Sequence, residues 1–246
     1  NNVDPQSITA KIEKCEISIS DFTITPKTYT NGDKTATVTE VTFANLQNGE
    51  TLALDADFTA AAEFANANAG TRNATLTVTL SETAKAKNYA LAEKTLAKDF
   101  TIAQAAAPTL SNVSESVTYG DSTQKTVSIA EAGMPTDAGT LKYTQGSTSA
   151  TNVDWSVGTD GTVKYTISDA DVGTVITLPV KISSTNYEDT TVNVVITITK
   201  ATPSLTITNE AALNRIYDGK TIAAKYTTNG DGVVTVEYYK DSAKLN

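Results

Sequence analysis

The sequence predicts an all-β protein made of sandwich-type units in series. Three observations carry this: period-two alternation of apolar residues, turn signals between the alternating runs, and an internal repeat. In a strand successive side chains point to opposite faces, so apolar residues two apart line one buried face. Ile17 and Ile19 alternate in this way, as do Leu76, Val78 and Leu80. Val127 and Ile129 follow, then Leu141 and Tyr143, then Val163, Tyr165 and Ile167. The longest runs are Ile176, Leu178, Val180, Ile182 and Val192, Val194, Ile196, Ile198. These residues are mostly β-branched, which suits a pleated surface. NGD at 31–33, QNGE at 47–50, TDG at 159–161 and NGDG at 229–232 are the turns between runs.

Two stretches are ambiguous by pattern. Residues 53–69, ALDADFTAAAEFANANA, are alanine-rich and helical by propensity. Phe58, Ala60, Ala62 and Phe64 alternate, and the two phenylalanines fall on poorly matched helical faces, so the segment reads as strand. In residues 81–100, Tyr89, Leu96 and Phe100 fit a helical stripe, while Leu96, Phe100 and Ile102 fit a strand. The repeat decides for strand. KNYALAEKTLAKDFTIAQAAAPTL, from Lys87, has its counterpart in TNYEDTTVNVVITITKATPSL, from Thr185. Asn-Tyr recurs at 88–89 and 186–187, and Pro108 and Pro203 follow the two closing strands. A tyrosine with a nearby glycine opens each unit: Tyr29 before Gly32, Tyr119 before Gly120, Tyr217 before Gly219. IYDGKT at 216–221 therefore stands where YTNGDKT and YGDSTQKT stand earlier, and reads as a recurring turn.

The expected organisation is a tail or linker at 1–10, β-sandwich repeats at 11–104 and 105–200, and a partial β repeat at 201–246. A unit of that size suits an Ig-like sandwich. The alternative is a β-grasp-like α+β module, which needs a helix around 81–99. AQAAAPT and TKATPS join the units, and proline restricts these linkers.

Composition excludes several function classes. The 246 residues carry a formal net charge of −9, which disfavours nucleic-acid backbones and anionic membranes. No stretch is apolar for long enough to span a bilayer as a helix. NNVDPQS at the start lacks the basic end and apolar stretch of a signal peptide. Histidine is absent, removing the commonest general base and metal ligand. Cys15 is the only cysteine, so it forms no internal disulfide. It reads as a small strand residue, with a reactive thiol or the thiol half of an internal thioester as the sharper alternatives.

Four further features have both a structural and a functional reading. Trp155 alternates with Val153 and Val157, which places it on an apolar face rather than on a sugar-stacking platform. The recurring tyrosines read as packed rings whose hydroxyls tie to nearby backbone. Asp55 with Asp57, Asp169 with Asp171, and Asp231 offer calcium two carboxylates at most, so turn and solvent roles are favoured. Lysines and asparagines are plentiful enough for covalent Lys–Asn staples, but no motif demands one.

With Tyr29 before Asn31-Gly32, LQNGETL at 46–52, EFANANAGT at 63–71, TLTVTL, Asn88-Tyr89 and the closing FTIAQA, the first unit resembles the YDG/MBG-type repeat domains of large bacterial surface proteins. In that family the tyrosine is usually followed by Asp-Gly, which only the third unit keeps, as Tyr217-Asp218-Gly219. The second unit resembles generic bacterial Ig-like repeats. The resemblance implies a stalk or spacer module of an exported, adhesin-like protein at the cell surface or outside the cell. It supplies no catalytic residues. The expectation is thus a non-catalytic monomer with no catalytic, cofactor-binding or metal-binding residues, no cofactor, no nucleic-acid partner and no membrane insertion. A host or matrix protein or a glycan remains the open partner class, and a carbohydrate- or protein-binding module is the alternative function. An enzyme would need an acid–base or nucleophilic set that the composition does not offer.

Overall fold

A computed structural model describes residues 11–130, 132–213, 216, 219–220, 222–229, 233–237, 239–240 and 243–244. Residues 15–103 form eight strands: β1 (Cys15–Ile24), β2 (Lys27–Thr28), β3 (Thr35–Ala36), β4 (Val38–Ala44), β5 (Phe58–Phe64), β6 (Gly70–Leu80), β7 (Tyr89–Leu91) and β8 (Thr95–Ala103). They make two sheets, ordered β4-β1-β7 and β2-β8-β6-β5-β3. Phe22 and Val41 from the smaller sheet meet Phe58, Phe64, Leu76, Val78 and Ile102 from the larger in one core. This core is aromatic: the rings of Phe22 and Phe100 lie 5.1 Å apart, and those of Phe43 and Phe58 lie 5.0 Å apart.

Seven strands follow in residues 113–199: β9 (Val113–Thr118), β10 (Lys125–Ser128), β11 (Leu141–Gln145), β12 (Val153–Val157), β13 (Thr162–Ile167), β14 (Val175–Ser184) and β15 (Thr190–Thr199). They form sheets ordered β10-β13-β12 and β11-β14-β15-β9. Here the core is aliphatic. Val163 and Ile167 of β13 pack with the inward residues of β14 and β15, all eight of which are buried. Each such side chain contributes about 1.5–3 kcal/mol relative to exposure. Both cores lie between facing sheets, as in a sandwich.

The alternating runs thus become strands whose apolar face is buried. In the alanine-rich stretch the strand is confined to Phe58–Phe64. Residues 53–57 instead make a tight turn, with Asp55 at φ 64° and the Asp57 carboxylate accepting from the Ala53 amide at 3.0 Å. Residues 81–99 hold a single 3-10 turn, Ala86–Asn88, followed by β7 and β8, so the helix required by an α+β module is not there.

In the last segment β16 (Leu205–Ile207) pairs antiparallel with β17 (Tyr226–Thr228), and a one-turn helix spans Glu210–Leu213. A further pair joins β18 (Tyr239–Lys240) to β19 (Ala243–Lys244). Residues 233–237 are not in a strand. Tyr217, Asp218, Thr221, Asp231 and the tail at 1–10 lie outside the described residues.

Candidate functional site

The recurring tyrosine turn has a defined construction. β2 pairs in parallel with the end of β8, and the Tyr29 amide extends that ladder by donating to the Ala103 carbonyl at 2.8 Å. The chain then reverses at Asn31 and Gly32, both at positive φ. The Asp33 amide donates to the Thr30 carbonyl, while the Asp33 carboxylate accepts from the Thr35 amide and hydroxyl. Lys27 caps the turn through a 2.7 Å ion pair with Asp33. That lysine, with the two Thr35 bonds, lowers the Asp33 pKa to about 2. YGDSTQKT is built alike. The Tyr119 amide donates to Thr199 at 2.8 Å, Gly120 has φ 80°, and Asp121 accepts from Thr123 and pairs with Lys125 at 2.7 Å.

The two tyrosines nevertheless differ in surroundings. Tyr29 is 6% exposed and Tyr119 is 42% exposed. The Tyr29 hydroxyl donates to the Asp137 carboxylate at 2.9 Å and approaches the Asp137 carbonyl at 3.2 Å. Tyr187 donates to the same carboxylate at 3.0 Å, and its ring meets that of Tyr29 edge-on with centroids 5.7 Å apart. Burial, and then the bond to Asp137, raise the pKa of both hydroxyls. The Tyr29 hydroxyl thus bonds nearby backbone at Gly32 and, in addition, reaches Asp137, 108 residues away.

Asn186 completes this junction. It is 1% exposed, and its side chain is fully engaged. Oδ1 accepts from the Ala69 amide at 3.0 Å, and Nδ2 donates to the Asp137 carbonyl at 2.7 Å and to Asn68 Oδ1 at 3.1 Å. The linker itself is paired. The Ala105 amide donates to the Asn186 carbonyl at 2.9 Å, and the Glu188 amide donates back to Ala105 at 2.8 Å. Gln104 Nε2 donates to the Ser184 carbonyl at 2.9 Å and the Tyr187 carbonyl at 3.0 Å. Every group therefore faces a partner, and the arrangement holds two sets of sheets together rather than presenting a reactive atom. Among the described residues no buried side-chain nitrogen or oxygen lacks a hydrogen bond.

The other sequence candidates fall elsewhere. Trp155 on β12 is half-buried against the aliphatic core and pairs across to Tyr165. Asp55 and Asp57 do not share a solvated face. Asp57 is buried, accepts from Thr83 Oγ1 at 2.7 Å and lies 3.8 Å from Lys85. The Ala53 amide first, and Thr83 second, lower its pKa. Asp169 and Asp171 are exposed, and Asp169 sits at φ 48° in a turn. Cys15 is half-buried on β1, where its Sγ donates to the Asn45 carbonyl at 3.7 Å and accepts from Gln47 Nε2 at 3.5 Å. Among the described residues no group of three or more Cys, Asp or Glu could hold a metal ion, and no helix is long and apolar enough to cross a membrane.

The parallel pairing of β1 with β7 and the Tyr29 turn lie in one stretch, and that stretch has a recognisable family. Residues 12–96 match the YDG domain. Here the Tyr29 turn of this domain is the half of the junction that meets Asp137. No curated protein matches the sequence. Similar solved structures include an endo-fucoidan hydrolase of glycoside hydrolase family 107, at 14% identity over 55% of this chain and 19% of that chain, with a TM-score of 0.25. Drosophila N-cadherin EC1-3 is similar at 11% identity over 77% of this chain and 70% of that chain, with a TM-score of 0.29. Domains 4–9 of the surface layer protein SbsC are similar at 14% identity over 78% of this chain and 33% of that chain, with a TM-score of 0.25. The chain spans about a fifth of the length of the hydrolases, and at such scores none of these likenesses bears on function.

Asp137, Asn68 and Gln104 carry no signal in the sequence that would single them out. Asn186-Tyr187 does have one, its recurrence at 88–89, but that recurrence does not reveal what the pair touches.

Proposed function

We propose that this chain is a non-catalytic structural segment, a stalk or spacer, of an exported bacterial cell-surface, adhesin-like protein. Repeats at 11–104 and 105–200, with a partial repeat at 201–246, would stand in series, and the molecule would act as a monomer. The observation that carries the reading is the junction at Asp137. One carboxylate holds a tyrosine from each side, a buried asparagine bonds across, and Ala105 of the linker is hydrogen-bonded through both its amide and its carbonyl to residues 186–188. A flexible linker would have free backbone groups there. A pinned linker transmits orientation, which is what a spacer must do. The YDG match over 12–96 supports the bacterial repeat character of the first unit.

A binding-module reading, with a host protein or glycan as ligand, gains less. Its best aromatic candidate, Trp155, is half-buried on the core.

Small-angle X-ray scattering of the full chain tests the spacer. A compact chain of this length has a radius of gyration near ~18 Å. A serial array about 100 Å long gives roughly 30 Å. The larger value is expected, and the smaller would overturn the spacer reading. Biotinylation of intact source cells with an impermeant reagent tests the location, with labelling expected.

A further inference from the structure

The β4-β1-β7 sheet ends in an open strand. β4 pairs with β1 alone, and among the described residues no strand lies on its other side. The Thr42 carbonyl accepts from the Ser20 hydroxyl at 3.1 Å, which puts the main-chain groups of Thr42 on the β1 side. Main-chain groups alternate sides along a strand, so those of Val41 and Phe43 face the open edge. Such an edge is a template for another strand.

The chain runs beside this edge without pairing to it. Residues 45–57 lead from β4 to β5 and leave a groove of about 530 Å³, with Thr39–Phe43 along one wall and Leu52 and Leu54 on the other. Buried Phe58 forms part of its lining. The β4 wall extends about 17 Å, the length of an extended peptide of about five residues. Along it Val41 and Phe43 turn inward, while Glu40 and Thr42 are exposed. The charged residues of the lining are both acidic: Glu40, and Glu50, whose Oε2 accepts from Tyr89 at 2.6 Å. Lys85 approaches from outside the lining, but its ammonium is held by the Thr51 carbonyl at 2.9 Å and by Asp57 at 3.8 Å. The groove is thus apolar within and negative at its rim, on a chain of net charge −9.

We propose that the groove beside β4 binds an extended peptide of another protein in which apolar residues alternate with lysine or arginine. The peptide adds a strand to the sheet. Its main chain pairs with Val41 and Phe43, its apolar side chains enter between Phe43, Leu52 and Leu54, and its cations face Glu40 and Glu50. The inference does not depend on the spacer reading. Scattering reports how the units are arranged, and peptide binding reports one edge, so either can fail while the other stands.

The test uses a capped peptide of about seven alternating lysine and valine residues, titrated into isotope-labelled full chain and read by amide chemical shifts. Saturable shifts confined to Thr39–Phe43 and Leu52–Leu54 are expected, with a Kd between about 0.01 and 1 mM for so small a contact. The same peptide with glutamate in place of lysine should produce none. Glu40→Lys, a change at an exposed side chain, should weaken binding about threefold to tenfold. Equal binding of the two peptides, binding unchanged by Glu40→Lys, shifts scattered over the acidic surface, or no shifts up to about 1 mM would overturn the proposal. So would concentration-dependent shifts at Thr39–Phe43 without any peptide, which would give the edge to a second copy of this chain.

Discussion

Asn88-Tyr89 and Asn186-Tyr187 are the same dipeptide at corresponding corners, and they lead different lives. In both, the tyrosine is bonded to a loop carboxylate, with Tyr89 buried and Tyr187 half-buried. Only Asn186 is buried, because only there does a neighbouring turn close over the corner. The comparison separates two roles within one motif. The tyrosine fixes the corner of its own sheets, whereas the asparagine serves whatever docks on them.

The largest contrast is therefore expected between the asparagines. Asn186→Ala removes the acceptor of the Ala69 amide and a donor to the Asp137 carbonyl, both at the junction. Leaving such buried groups unmatched costs about 1–3 kcal/mol. Asn88→Ala removes one long bond from an exposed side chain, so its effect should stay within about 0.5 kcal/mol. Urea unfolding of the two variants measures the difference. Equal effects would mean that the junction adds nothing to stability.

A smaller contrast is expected between two glycines that flank these corners. Gly49 has φ 71° and Gly139 φ 77°, so alanine at either position takes on left-handed strain of about 1–2 kcal/mol. A methyl at Gly49 would meet nothing within 4 Å. At Gly139 it would come within 2.8 Å of Thr185 Cβ and 3.6 Å of Asn186 Nδ2. Gly139→Ala should thus be the more destabilising of the pair by thermal melting, and it should loosen the junction. In the scattering experiment that loosening would appear as a broader distribution of distances.

The sequence made the strands legible and the junction nearly invisible, for a physical reason. Val192 to Ile198 and Ile176 to Ile182 alternate because backbone geometry alone sends every second side chain inward. Phe58 and Phe64 overrode the helical propensity of the alanines between them, since two large rings must reach one core. The turn at 53–57 was not visible, because the residue that fixes it, Asp57, is satisfied partly by Thr83, 26 positions on. Tyr29 stands out through recurrence, which marks a shared role. Its partner Asp137 sits in a loop with no periodicity, and only the fold brings the two together.

The smallest effect expected is in the alkaline range, and it distinguishes the corners by cause. At the second corner, burial first and Asp137 second raise the pKa of Tyr29 and Tyr187. At the first, the bond to Glu50 comes first and burial second in raising that of Tyr89. All three hydroxyls hold their protons more tightly in the folded chain than in the unfolded one, where the ordinary value is 10.0. Their contribution is therefore complete below that value and is lost as pH rises through the raised folded values. The melting temperature should fall as the pH rises from about 9 through the ordinary tyrosine range and beyond. Tyr29→Phe removes one of the groups that must ionise beside Asp137, so its melting temperature should fall less steeply over that range. It should begin lower at pH 9, where the lost hydrogen bond is the only difference. Parallel curves for wild type and variant would mean that Tyr29 ionises as easily in the junction as in the unfolded chain, and that the junction is open in solution.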